Sequence, residues 1–282
     1  MSTILKWAGN KTGIMPQLLK HFPSNVPRLV EPFAGSCSVM MATDYPAYLV
    51  ADINPDLINM YQQIKEDPEF FIFIASGLFR QNSEDDFRRI RHTFNHSKSC
   101  GNAWRAAAFL YLNRHCYRGL CRYNKSGGFN VPYGNYAKPY FPHAEILTFA
   151  EKAVRATFIC AGYYETLTML RSGDVVYCDP PYDGTFSQYH SAGFTTEDQG
   201  TLSALLCDHV NNGGSVVASN SDTALIRYLY RDFQLHQITA KRSMGVAAGE
   251  SKSASEIIAV NTPYLWIGFD LAGAHDYTGV SG

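Results

Sequence analysis

Within about 30 residues the chain sets out a strand, a glycine turn, the opening of a helix and a second strand, which makes a βαβ unit. Arg28 to Phe33 (RLVEPF) reads as a short buried strand, Ala34-Gly35-Ser36 as the turn, and Cys37 to Met41 as the apolar start of a helix. Tyr48 to Ile53 (YLVADI) is the second strand and ends in an acid. The same grammar resumes later in the chain. Asp174 to Cys178 (DVVYC) and Gly214 to Ser219 (GSVVAS) are short runs rich in β-branched residues. Between them Thr196 to Asn211 has a helical period that puts Leu202, Leu205 and Leu206 on one face. Phe233 to Ala240 and Glu256 to Val260 read as a last strand pair around a Gly/Ser/Ala loop, Ser243 to Ser255. A segment that looks mostly helical (Trp104 to Arg114) and then Gly/Asn-rich (Asn124 to Tyr140) interrupts the alternation. The pattern predicts a doubly wound α/β sheet with a helical insertion.

Composition narrows the class. The chain has 282 residues, 46% of them hydrophobic, with a formal net charge of -1, enough to bury a core in one or two domains and too apolar for wholesale disorder. It contains no run of about 18 apolar residues, and Met1 to Trp7 lacks the basic and apolar regions of a signal peptide. The seven cysteines are scattered and odd in number, without a C-x-x-C pair, and no H-E-x-x-H occurs. These features predict reduced thiols, no metal site, and a cytoplasmic location without membrane contact.

The near-neutral charge hides an asymmetry. Between Phe87 and His143 stand ten basic residues (Arg88, Arg89, Arg91, Lys98, Arg105, Arg114, Arg118, Arg122, Lys125 and Lys138) and no acid. The rest of the chain keeps 14 of the 24 basic residues and all 25 acids. Aromatic and amide side chains are interleaved with the cations, as in Tyr117-Arg118-Gly119-Leu120-Cys121-Arg122-Tyr123-Asn124. Cations suit phosphates, and planar or bidentate groups suit bases, so the segment points to a nucleic acid.

Ligands of an open α/β sheet bind beyond the carboxyl ends of its strands. Three polar motifs fall at such ends. Glu31-Pro32-Phe33-Ala34-Gly35 follows the first strand, and Gly35 permits close backbone approach. Asp52 ends the second, placed to accept hydrogen bonds from both hydroxyls of a ribose. Asp179-Pro180-Pro181-Tyr182 follows the strand ending at Cys178. Two prolines remove two backbone donors and stiffen the corner, leaving the Asp179 carboxylate, the Pro180 carbonyl and the Tyr182 ring. That set complements an exocyclic amine on a nucleobase, which offers N–H donors and a flat π-face.

Taken together, Lys6-Trp7-Ala8-Gly9-Asn10-Lys11, Leu29-Val30-Glu31-Pro32-Phe33, Ala51-Asp52-Ile53-Asn54 and Asp179-Pro180-Pro181-Tyr182 resemble the Dam-type (D12 class) DNA adenine-N6 methyltransferases. The motif order and the insert, over Leu110 to Asn124 and Phe129 to Pro142, are similar as well. The resemblance implies a Rossmann-like methyltransferase sheet with a DNA-recognition insertion, S-adenosylmethionine as donor, and the adenine of GATC in double-stranded DNA as target. It divides the chain into a catalytic domain (1–56 with 145–261), a target-recognition domain (57–144) and a tail of unassigned role (262–282). Carried over by position, Trp7, Lys11, Gly35, Asp52 and Asp179 meet the cofactor, and Asp179, Pro180 and Tyr182 hold a flipped adenine. Lys6, Arg118, Leu120, Arg122, Asn124, Pro132 and Tyr136 touch DNA, with Arg122 suited to a bidentate contact with guanine. No obligatory protein partner is implied.

The chain departs from the family at four places. Asn10 and Cys37 replace glycines, each adding a Cβ near the expected cofactor, and Arg118 and Asn135 stand where asparagine and arginine are usual. Asn10 and Cys37 leave open a DNA-binding protein with an impaired catalytic fold. A cytosine-N4 or RNA amino-methyltransferase would use a similar corner. A nicotinamide-dependent oxidoreductase is disfavoured because the first turn lacks G-x-G-x-x-G.

Overall fold

The computed structural model describes residues 3–97, 99–182, 194–242 and 252–262. In chain order the helices and strands are α1 (Met15–Leu18), β1 (Arg28–Glu31), α2 (Ser38–Ala42), β2 (Ala47–Asp52), α3 (Pro55–Glu66), α4 (Pro68–Phe79), α5 (Glu84–His96) and α6 (Gly101–His115). There follow α7 (His143–Ala153), β3 (Ala156–Cys160), α8 (Tyr163–Leu167), β4 (Val175–Cys178), α9 (Thr196–Asn211), β5 (Ser215–Ser221), α10 (Ala224–Leu229), β6 (Gln234–Arg242) and β7 (Lys252–Asn261).

The seven strands form one sheet in the order β3-β2-β1-β4-β5-β7-β6. The first five run parallel, while β7 pairs antiparallel with both β5 and β6. This is the doubly wound, Rossmann-like sheet. Strand order reverses between β1 and β4, so the crevice at their carboxyl ends is the ligand position of such folds. Their amino ends are clamped together instead: the Arg28 guanidinium reaches both carboxylate oxygens of Asp174, at 3.0 and 2.5 Å.

Alternate strand residues feed two cores. Leu29, Tyr48, Val50, Val175, Tyr177 and Val217 face the side that also holds the insertion helices. Val30, Leu49, Val176, Cys178, Val216 and Ala218 face the other, where Leu202 and Leu206 of α9 cover them. A parallel sheet buried on both faces requires this near-continuous apolar content. The first core runs without a break into the insertion, through Phe94, Phe109 and Phe129. Helix α6 threads its middle and is buried along its whole length from Ala106 to His115.

Local signals start the helices. Asn54 caps α3 by accepting from Asp56 N and Leu57 N, ahead of a proline at the first position. Ser83 with Asp86, and Thr195 with Asp198, close capping boxes on α5 and α9.

Two features differ from the sequence reading. Strand β3 was not anticipated. It is an edge strand of five residues that follows α7 with no turn signal, and its Ala156 and Phe158 carbonyls are covered by Lys65 and Gln62 of α3. The expected loop Ser243 to Ser255 is shorter, because β7 already begins at Lys252 and pairs with Arg242; residues 243–251 lie outside the described residues. So does the Tyr264-Leu265-Trp266-Ile267 run of the tail. His92 and His96 stand one turn apart on α5 with rings 4.4 Å from each other, but among the described residues no three metal-capable side chains come together. Nor is any described helix long and apolar enough to cross a membrane.

Candidate active site

The three strand-end motifs meet through the N-terminal segment. Gly35, at φ +47°, turns so that its N–H reaches Asp52 Oδ2 at 3.0 Å. Asn54 N reaches the other carboxylate oxygen at 2.9 Å, which fixes the Asp52 side chain at the end of β2. Tyr61 from α3 donates to the Gly35 carbonyl at 2.6 Å. The Trp7 indole lies directly over this turn: a Cβ on Gly35 would stand 2.8 Å from its Nε1, so only glycine fits beneath the ring.

Four residues after Trp7, Lys11 is buried, in a 3₁₀ turn that Asn10 caps through Thr12 N. Lys11 Nζ lies 2.8 Å from Asp179 Oδ1 and donates to Tyr182 Oη at 2.7 Å. Asp179 Oδ1 also accepts from Ser219 Oγ at 2.9 Å, and that serine meets the Tyr177 hydroxyl at 2.9 Å. Tyr182 Oη in turn donates to Glu256 Oε2 at 2.8 Å. Behind the corner, Gln199 Nε2 donates to the Pro181 carbonyl at 2.9 Å, while Gln199 Oε1 accepts from Asn220 Nδ2 at 3.0 Å. Asp179, Pro181 and Tyr182 of the corner are thereby anchored by side chains from β5, α9 and β7 respectively.

Glu31 completes the crevice. It is 2% exposed, and its Oε1 has no hydrogen-bond partner. Burial, with the Asp179 charge adding to it, pushes its carboxyl up to about 8, although the Met40 N–H works the other way. A buried, unpaired carboxyl oxygen is the kind of group that a cationic ligand satisfies.

The expected cofactor and catalytic residues Trp7, Lys11, Gly35, Asp52, Asp179 and Tyr182 are thus linked in one cluster. Sequence reasoning placed Glu31 in a strand-end motif without giving it a role, and missed Ser219, Gln199 and Glu256. The signal was there: polar residues inside apolar strand and helix faces. Two surface hollows, about 380 Å³ beside Asn82 and Tyr133 and about 410 Å³ beside Gln62 and Lys65, share no residue with this cluster.

The expected DNA residues gather around two joined turns. Tyr117 N donates to the Pro132 carbonyl at 2.8 Å, and Arg118 N donates to Tyr136 Oη at 2.9 Å. Lys6 Nζ sits 4.1 Å above the Tyr136 ring, and the stem of Lys6 fills the place a Cβ on Gly119 would need. Arg122 is oriented by Asn130, whose Oδ1 accepts from its Nε at 2.7 Å. Asn124 Oδ1 caps its own turn through Ser126 N and Gly128 N. Leu120 is half-buried and packs against the first core.

Several cations of the basic segment have partners within the chain. Arg105 pairs with Asp56, and Arg88 and Arg89 pair with Glu84 and Asp86, acids just upstream of the counted window. Arg114 is buried and donates to the Thr3 and Ile4 carbonyls, fastening the N-terminal segment to α6. Arg91 donates to the Val131 carbonyl.

Comparison with known proteins places the chain in a family. A family model described as D12 class N6 adenine-specific DNA methyltransferase matches residues 7–244. The chain is 63% identical over 281 residues to the retron Ec67 DNA adenine methylase of Escherichia coli, covering 99% of this chain and 98% of that one. It is 45% identical over 269 residues to a DNA adenine methylase of Vibrio cholerae (93% and 96% covered) and 41% over 266 residues to that of Escherichia coli K12 (92% and 95%). The chain belongs to the D12 class of N6 adenine-specific DNA methyltransferases and is an enzyme that methylates adenine in DNA.

Proposed function

We propose that the enzyme takes its methyl group from S-adenosylmethionine and places it on N6 of an adenine turned out of double-stranded DNA, within GATC. The donor fits the crevice on its charge: a cation beside the orphaned Glu31 oxygen and Asp179 would favour release of the proton that burial holds on the Glu31 carboxyl. Asp52 would take the ribose hydroxyls at the end of β2, where the Gly35 and Asn54 N–H bonds orient its carboxylate. Trp7, over the Gly35 turn, and Lys11 would wall the same site. Bound there, the sulfonium supplies an electrophilic methyl group.

The chain's own part is alignment and charge. Asp179 and the Pro180 carbonyl accept the two N–H bonds of the adenine amine and support the positive charge that grows on that nitrogen. Tyr182 offers its ring to the base. Extrusion is required because N6 is out of reach inside the stack. Residues 57–144 serve as the target-recognition unit, with Lys6, Arg118, Leu120, Arg122, Asn124, Pro132 and Tyr136 at the DNA and Arg122 reading a guanine.

The observation that carries this reading is Lys11, which joins the Asp179–Tyr182 corner to the segment holding Trp7 over the Asp52 turn. Asp179→Ala should abolish methyl transfer while leaving DNA retention largely intact; near-normal methylation by that variant would remove the corner from the mechanism. The target is read by digesting treated plasmid with nucleases of opposite response to methylated GATC. Nucleoside mass analysis fixes the methylated atom class.

A further inference from the structure

We propose that Glu256 is a positioning residue of the catalytic corner, acting on the extruded base through the Tyr182 phenol. The proposal rests on the reading of the corner given above. Glu256 lies on β7, opposite Ser221 of β5 and Ile238 of β6, beyond residue 244 where the family match ends. It is 5% exposed, in a strand whose next four residues, Ile257 to Val260, are all buried and apolar. A carboxyl group is costly there unless a hydrogen bond compensates it.

The geometry fixes the direction of every proton in the chain. A lysine ammonium has donors and no acceptor, so Tyr182 Oη must accept from Lys11. Its own hydroxyl proton is left for Glu256, and the 2.8 Å separation is that of a good bond. The phenol oxygen is thus held from both sides, by β7 and by the N-terminal segment, which fixes where the outer end of the ring lies. Lys11 is shared between Asp179 and Tyr182. Without Glu256, the phenol loses one anchor and Lys11 is drawn toward Asp179, whose oxygens then serve the adenine amine less well. Both consequences fall on the aligned reacting state and leave ground-state binding little changed.

The test is a double-mutant cycle in the full-length enzyme, with S-adenosylmethionine and a duplex that the wild type methylates. Glu256→Leu should lower the single-turnover rate about tenfold or more, with KM for donor and for DNA each within about threefold. Glu256→Gln should stay within about threefold of wild type, because the amide oxygen still accepts the phenol proton. In a Tyr182→Phe background, Glu256→Leu should cost no more than about twofold, since its partner is gone. If Glu256→Leu does not fold, Glu256→Ala takes its place in both backgrounds. A Glu256→Leu enzyme with the wild-type rate would overturn the proposal. So would a full loss that persists in the Tyr182→Phe background, or Glu256→Gln as impaired as Glu256→Leu. Asp179→Ala separates the two claims. If it is inactive while the cycle shows no coupling, only Glu256 is misassigned; if it is active, the corner itself is.

Discussion

Cys37 adopts φ 55° and ψ 28°, the left-handed conformation that glycine takes without strain. A side chain there costs about 1–2 kcal/mol, and its thiol is fully buried, which pushes it well above the ordinary thiol range and keeps it inert. The usual order of substitution should therefore reverse. Cys37→Gly relieves the backbone, while Cys37→Ala keeps the strain and loses the sulfur packing, so the glycine variant should be the more stable by about 1 kcal/mol in urea unfolding. Equal midpoints would mean that the turn is not strained. Asn10, by contrast, sits at φ −52° and caps its own turn, so nothing at that position requires glycine. With both departures accommodated, they give no reason to expect an impaired enzyme. Arg118 and Asn135 share the left-handed region, at φ 56° and 52°. Asparagine is at ease there and arginine is not, so Arg118→Asn should raise the free energy of unfolding by about 1 kcal/mol, read in urea.

A helix cap is a local device that the sequence carries, although no cap was among the expectations drawn from it: Asn54-Pro55, Ser83 with Asp86, and Thr195 with Asp198 act within four residues of themselves. Strand β3 was not readable, because an edge strand under one helix needs neither a continuous apolar run nor a turn before it. The basic segment illustrates the same limit. Counting from Phe87 cut α5 in two and left Glu84 and Asp86, the partners of Arg88 and Arg89, on the far side. Arg122, the expected guanine reader, is presented by Asn130 on the facing turn. Arg122→Ala should cost about 1–3 kcal/mol of discrimination at one base pair. Asn130→Ala should cost a smaller amount at the same pair, because it loosens the guanidinium without removing it. Competition between duplexes altered one base pair at a time measures both, and a loss spread evenly over all positions would make Arg122 a phosphate contact.

Over the whole molecule, stability should depend on pH through two buried groups. Folding raises the Glu31 carboxyl from 4.5 to about 8, chiefly by burial, so the native state holds that proton more tightly than the unfolded chain. Its contribution is complete below pH 4.5 and is lost as pH rises toward 8. Burial lowers the His115 imidazole from 6.5 to about 4, so its contribution is complete above pH 6.5 and is lost as pH falls toward 4. In urea unfolding of the ligand-free enzyme, Glu31→Gln should flatten the decline between pH 6.5 and 8; an unchanged slope would assign it to another group. The amino-acid sequence by itself determined the strand and helix periods, the helix caps, the order of the motifs and the stiffness of the Asp-Pro-Pro-Tyr corner, because each depends on neighbours along the chain. Only the tertiary structure decided that Lys11 would meet Tyr182 across 171 residues and Tyr182 would meet Glu256 across 74. Those contacts follow from strand order and from which strand runs antiparallel, and a local pattern of burial is compatible with many such arrangements.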